Sequence, residues 1–230
     1  MSQPTSTTPG TSEFKPVSDG LAKHMGRIVE DASLKYPGGL AKLELVKGDP
    51  DFVEELYKLF EARATKRAEV LAFSERPAWK TITVGTHPNK KDLQKTVETE
   101  GHKLSDWAKE VVKNKLFTVE TEERKLDLYT ATVAELGFPN GAKVSDIYAK
   151  LDEFGFGKCP DETALQLRRE YTDQPMDEWR IVVSEPLADA YGDLIVLSVV
   201  RYSYGSWVYG NYAIPDIVWS GYYRLVFCRK

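Results

Sequence analysis

Three histidines, two cysteines and a scattered set of carboxylates are the side chains of this 230-residue chain that could carry covalent, acid–base or metal chemistry. His24, His87 and His102 lie far apart, and neither "GTHPNK" around His87 nor the polar segment after Gly101 supplies a second ligand at metal spacing. Both His87 and His102 read as solvated residues. "VGTHPNKK" and "ELGFPNGAK" contain Gly and Lys but lack phosphate-loop spacing, and there is no nucleophile elbow and no zinc-protease motif. The acidic run "VETEERKLD" reads as a wet face, and carboxylate-pair catalysis depends on distances that a sequence does not contain. Cys159 and Cys228 could pair only if the fold brought them together; two free thiols are the expectation. These residues single out no catalytic group, cofactor or metal site.

The C-terminal segment is different. Tyr202 to Tyr223, "YSYGSWVYGNYAIPDIVWSGYY", holds six of the chain's twelve tyrosines, mixed with Ser, Gly, Asn and Trp. Tyr gives amphipathic contact area at low entropic cost and small residues adapt to a partner, a mixture used by antibody paratopes. The plain alternative is a sheet core, since strands favour aromatics. Strict alternation puts Tyr202 and Tyr204 on one face and Trp207 and Tyr209 on the other, and both faces can be buried only if the sheet is covered twice. Lys, Glu, Gln and Met make up 47 of the 230 residues, so the 44 residues from Pro186 to Arg229 should hold about nine before allowing for strand depletion of Glu and Lys; they hold none.

Residues 1–20 are rich in Ser, Thr, Pro and Gly and read as a disordered tail without a secretion signal. A helical region over 21–76 follows, with one helix in "DGLAKHMGRIVEDASLKY" and a second from N-cap Asp49 and Pro50, in which Phe52, Val53, Leu56, Leu59, Phe60 and Ala64 keep helical spacing. From Trp79 come a short strand, "WKTITV", helical segments interrupted at Gly101, a strand in "DLYTATVAELGF", a helix in "KVSDIYAKLDEFGF" and a short helix between Pro160 and Pro175. Four strand patterns close the chain: "EWRIVVSE", "DLIVLSVVRYSY", "SWVYGNYA" and "YYRLVFCR". The reading is α+β, with N-terminal helices followed by an antiparallel C-terminal sheet packed on helices over 77–230.

The stretch from Trp79 to the C-terminus resembles a family of small proteins of candidate-phylum bacteria. The likeness is carried by Trp79 to Ile82, Ser105 to Ala108, Val133 to Phe138, Cys159-Pro160, Gln166 to Arg168, Tyr171 to Trp179, Glu185-Pro186, and the closing Trp207, Pro215-Asp216, Trp219 and "RLVFCR". The chain departs from it in reading Tyr191-Gly192-Asp193 where the family has Asp-Gly-Asp. The ending looks like that of target proteins of diversity-generating retroelements, in which randomised adenines are written into the 3′ end of the target gene. AAC and AAT codons so changed yield Tyr, Ser, Asn, Gly and Ile but never Lys, Glu, Gln, Met or Trp, which fits the missing residue types.

The resemblance implies a C-type lectin-like domain with a variable segment at about 194–229. It implies ligand contacts at Tyr202, Ser203, Tyr204, Ser206, Tyr209, Gly210, Asn211, Ile214, Ile217, Ser220 and Tyr222. Trp207, Pro215, Trp219, Arg224, Val226 and Phe227 would be scaffold. Calcium-dependent lectins use Glu-Pro-Asn and Trp-Asn-Asp motifs; here Glu185-Pro186-Leu187 stands alone, so no metal or other cofactor is expected. The expected function is non-enzymatic recognition of a protein or other macromolecular ligand. The alternative is a homo-oligomeric structural protein built on the N-terminal amphipathic helices, with the aromatic tail as core. A net charge of −4 and a pI near 5.6 give no basic field for nucleic acid, no apolar run reaches membrane-spanning length, and cytoplasmic location is the default.

Overall fold

The structure, a computed structural model, describes residues 50–230. The expected tail over 1–20, the helix in 19–36, Asp49 and His24 lie outside the described residues. The chain divides into two compact units between Ala64 and Thr65. The division falls inside a long helix, α1 (Pro50–Ser74), which opens on a proline whose missing N–H is one the first turn could not use.

In the second unit α1 is followed by β1 (Lys80–Val84), α2 (Lys90–Thr99), β2 (Lys103–Leu104), α3 (Asp106–Lys113), β3 (Arg124–Thr132), a 3-10 turn (Ala134–Leu136), β4 (Ala142–Lys143) and α4 (Val144–Glu153). Then come β5 (Phe156–Gly157), α5 (Thr163–Glu170), β6 (Trp179–Val182), β7 (Leu187–Ala188), β8 (Leu194–Tyr202), β9 (Gly205–Tyr212), β10 (Val218–Trp219) and β11 (Arg224–Arg229). Local chemistry sets the helix starts. Asn89 Oδ1 accepts from the Lys91 and Asp92 N–H groups at 3.0 Å each, and Ser105 Oγ accepts from the Ala108 N–H at 3.2 Å. The interruption expected at Gly101 is present, and it separates α2 from β2 and α3.

The main sheet runs in the order β1-β3-β11-β6-β8-β9-β2, with β5 added on β11 and β7 on β8; β10 and β4 form a separate pair. It is mixed rather than purely antiparallel. β11 lies parallel to β6, with Leu225 opposite Ile181, and β2 lies parallel to β9, with Lys103 opposite Trp207. The chain leaves β9 near the sheet edge and crosses back to insert β11 between β3 and β6, so the sense of β11 is set by its antiparallel partner β3.

Residues directly opposed on neighbouring strands share a face. One face, carrying Val182, Ile195, Leu197, Val199, Val208 and Val226, is buried in a core with Leu93 and Val97 of α2, Ala108 and Val111 of α3, and Leu165 and Leu167 of α5. The other, carrying Tyr129, Ala131, Ile181, Val196, Leu225 and Phe227, is buried with Val144, Ile147 and Leu151 of α4, Phe73 near the end of α1, and Trp219. Each side chain sequestered in this way is worth roughly 1.5–3 kcal/mol of transfer free energy, so both faces hold the sheet in place.

Two cysteines expected as free thiols are a disulfide. β11 places Cys228, and the segment before α5 places Cys159, with Cα atoms 5.3 Å apart. The pairing is made by the topology, 69 residues apart in sequence, and no local pattern encodes it.

Candidate functional site

The hairpin β8–β9 turns through Ser203 and Tyr204, with Tyr202 opposite Gly205. Val200 is opposite Trp207, Ser198 opposite Tyr209, and Trp179 of β6 opposite Val200. Trp179, Tyr202, Trp207 and Tyr209 therefore share one face. Strict alternation had put Tyr204 and Tyr202 on the face opposite Trp207 and Tyr209; the two-residue turn instead returns Tyr204 to their side, where it stacks on Tyr202 with centroids 5.0 Å apart. The cluster is closed by Trp179–Tyr209 at 5.3 Å, Trp207–Tyr209 at 5.5 Å, Tyr204–Trp207 at 6.1 Å and Trp179–Tyr202 at 6.2 Å.

Beneath these rings Ser198 and Val200 are fully buried, while the rings themselves stay half-buried or, for Tyr204, 60% exposed. Asn211, next on the same face, donates to Ser198 Oγ at 2.6 Å. Beyond it a cavity of about 530 Å³ opens between Trp179, Ile181, Asn211, Tyr222 and Tyr223, reaching Asp177 at its rim. Tyr222 is 78% exposed and meets Tyr223 edge-on at 5.1 Å.

The expected contact residues thus separate. Tyr202, Ser203, Tyr204, Tyr209, Asn211 and Tyr222 lie on or around this face. Ser206 is opposite Arg201, with the alternation of Val208 and Gly210, and belongs to the reverse side. Gly210 is buried there: a Cβ on it would come within 2.8 Å of Trp107 Cβ and 2.9 Å of Ile195 Cγ2. Ile214, Ile217 and Ser220 lie in the β9–β11 connection; Ile214 is exposed, Ile217 is packed against the core, and Ser220 is half-buried. Among the expected scaffold residues, Trp219, Val226 and Phe227 are buried, and Trp219 Nε1 donates to the Tyr212 carbonyl at 2.9 Å. Trp207 is instead part of the ring cluster, and Pro215 is exposed.

Sequence reasoning missed Trp179 and Asp177. Both sit in the "DQP..EW" motif, outside the tyrosine-rich tail, and only strand pairing brings them to it. It also missed the pair Trp107–Tyr212, partly exposed on the reverse side with centroids 5.3 Å apart.

Two of the phenols, Tyr202 and Tyr209, are shifted upward. Burial holds Tyr209 above the usual range, and Tyr204 and Tyr202 beside it push the same way. Burial also raises Tyr202; a hydrogen bond from Trp179 opposes this, and Tyr204 and Asp177 add to it. Both hydroxyls remain able to donate and accept at neutral pH. Behind the sheet, Arg168 is buried and has no carboxylate partner among the described residues. It donates to Gln174 Oε1, to the Tyr171 carbonyl at 2.6 Å and to the Val200 carbonyl at 3.4 Å, pinning the loop that leads to Asp177 onto β8. Burial, then repulsion from Arg201, pushes its guanidinium down to about 10.

His87 and His102 are half-buried rather than free in solvent. His87 Nδ1 is 2.8 Å from Thr86 Oγ1 and Nε2 is 3.0 Å from Thr96 Oγ1, and partial burial lowers the pKa of both His87 and His102. Glu162 is fully buried as a staple, accepting from the Gly85 and Glu120 N–H groups at 3.1 and 2.7 Å and from Gln166 Nε2 at 2.7 Å. Among the described residues no group of three or more His, Cys, Asp or Glu could hold a metal ion, and no helix is long and apolar enough to cross a membrane. Comparison of the chain with protein-family models, with curated proteins and with solved structures finds no match.

Proposed function

We propose that this chain is a non-enzymatic recognition protein of the diversity-generating retroelement target kind, whose C-terminal domain is lectin-like and presents a diversified face to a macromolecular ligand. The observation that carries the reading is the contiguous layer of Trp179, Tyr202, Tyr204, Trp207 and Tyr209 on one face of a rigid, doubly anchored sheet. Large rigid amphipathic side chains with neutral hydroxyls suit a protein surface, because they bury area at little entropic cost and hydrogen-bond at their tips. Tyr202, Ser203, Tyr204, Tyr209 and Tyr222 are the positions whose side chains can change without disturbing the core, and Asn211 is more constrained because it bonds the buried Ser198 hydroxyl. Trp219, Val226 and Phe227 are the frame.

The disulfide Cys159–Cys228 favours display in an oxidising compartment over the cytoplasmic location expected from the sequence. Two tests address the reading. The genomic locus should contain a reverse-transcriptase gene and a near-copy of the 3′ end differing only at adenines; a lone gene with no repeat removes the retroelement. Peptides selected from a displayed random library on the whole chain should lose roughly 2 kcal/mol or more of binding on Tyr209→Ala, with the fold intact. Selected binders indifferent to every Tyr→Ala change from Tyr202 to Tyr222 would refute the surface.

A second reading, oligomerisation through the N-terminal helix, is favoured by the exposure of Leu59 and Phe60 on α1. Light scattering of the whole chain and of a Leu59→Lys, Phe60→Glu variant tests it; a monomer in both cases excludes it.

A further inference from the structure

We infer that the cavity between Trp179, Tyr222 and Tyr223 is a subsite for a cationic side chain of a protein partner, an arginine before a lysine, with Asp177 as its counter-charge. The inference rests on the recognition face proposed above and gives one part of it a fixed preference.

Charge accounting carries it. The lining of the cavity includes Asp177, Glu178 and Arg224 as well as the aromatic walls. Glu178 is already spent: its Oε1 accepts from Arg180 Nη2 at 2.6 Å and its Oε2 from the Tyr171 hydroxyl at 2.7 Å, both in the cluster around Trp79 on the sheet's reverse face. Arg224 flanks Leu225, which is opposite Ile181 on the cavity side, so the alternation of β11 directs the Arg224 side chain to the reverse face. That leaves Asp177 as the acid whose charge belongs to this side. Asp177 is exposed, and its carboxylate has no ion pair or hydrogen bond among the described residues.

The backbone of Asp177 is strained to hold it there. Its φ of 58° is the one positive value at a non-glycine among the described residues, and its N–H donates to the Arg201 carbonyl at 2.7 Å. Indole and phenol faces attract cations, tryptophan most strongly, and a planar guanidinium can stack on a ring while it pairs with a carboxylate. The same surface already does this internally. Lys103 Nζ lies 5.0 Å from the Trp207 ring centroid, at the other end of the cluster.

The probe is N-acetyl-arginine amide, with the lysine, glutamate and leucine amides and tetramethylammonium as comparisons, titrated into isotope-labelled whole chain and followed by amide and indole N–H shifts. The expected result is saturable movement of the Trp179 indole and the Asp177 amide with arginine, weaker with lysine and absent with glutamate and leucine. Asp177→Gly should weaken the arginine probe by about tenfold. Glycine accepts a positive φ without strain, so this variant keeps the fold while removing the carboxylate. Equal response to glutamate, no response at Trp179, or binding of tetramethylammonium without arginine would overturn the assignment. Library-selected peptides separate this failure from failure of the recognition face. Peptides lost on Tyr209→Ala but unaffected by Asp177→Gly reject the cation subsite and keep the face; peptides indifferent to Asp177→Gly and to every Tyr→Ala change from Tyr202 to Tyr222 reject both.

Discussion

The two faces of the β8–β9 hairpin are made by the same 17 strand residues, nine in β8 and eight in β9, and do opposite things. On one, Ile195, Leu197, Val199 and Val208 are buried under α2, α3 and α5. On the other, the hairpin is covered by α4 at one end, where Val196 is buried, and carries Tyr202, Trp207 and Tyr209 at the other, where they pack on one another and Lys103 reaches the Trp207 ring. Alternate positions along one strand thus serve fold and surface separately. The end of that face beyond α4 can change its side chains at small cost to stability, whereas its reverse cannot. That asymmetry is what a diversified surface requires, and it can be broken from either side.

The largest effect should come from the helix-covered side. The Cys159–Cys228 bridge lies in that core and joins residues 69 apart. By the loop-entropy estimate a loop of that length stabilises by about 4 kcal/mol. A Cys159→Ala, Cys228→Ala variant should lose stability on that scale in urea unfolding, and reduction of the wild type should reproduce it. A loss below about 1 kcal/mol would mean that the bridge contributes little to this core.

Gly210 tests the same side at one atom. Adding a Cβ forces it against Trp107 and Ile195 at distances that real contacts do not adopt. Gly210→Ala should therefore cost roughly 1–3 kcal/mol through overpacking, although Gly210 stands between two surface residues, Tyr209 and Asn211. Tyr209→Ala, one residue away on the open face, should cost less than Gly210→Ala in stability and far more in binding. Equal stability losses at the two positions would erase the contrast between the faces.

Much of this was legible from residue patterns. The strands in "DLIVLSVVRYSY" and "SWVYGNYA", the break at Gly101 and the α+β class follow from alternation, turn residues and capping, all of which are local. The sense of β11, the disulfide and the role of Trp179 were not, because each depends on which distant strands become neighbours. The aromatic tail shows the boundary most clearly. Composition marked it as unusual, yet the hairpin turn decided that Tyr204 joins Tyr202, Trp207 and Tyr209 on one face, and strand register decided that Gly210 is buried. A contact list drawn from sequence alone therefore mixed residues of both faces.

The smallest expected effect is in alkaline solution, and it distinguishes a phenol under a helix-covered region from phenols on the open face. Burial strongly raises the pKa of Tyr148 on α4, whose hydroxyl donates to the Ser184 carbonyl at 3.2 Å; Tyr202 and Tyr209 are raised as well, by burial first and then by neighbouring phenols. A phenol whose folded pKa lies above its unfolded value, about 10, keeps its proton in the fold where the unfolded chain loses it. The stabilisation is therefore complete below about pH 10 and is lost as pH rises towards the folded value. Tyr202 and Tyr209 have solvent beside them and should ionise with the fold intact. Tyr148 should release its proton only on unfolding, so Tyr148→Phe should shift the alkaline unfolding midpoint upward, while Tyr202→Phe and Tyr209→Phe should shift it in the same direction by less. Phenolate absorbance and circular dichroism followed together across the titration would show it: early ionisation of Tyr148 in a folded chain would mean that α4 does not seal its face of the sheet.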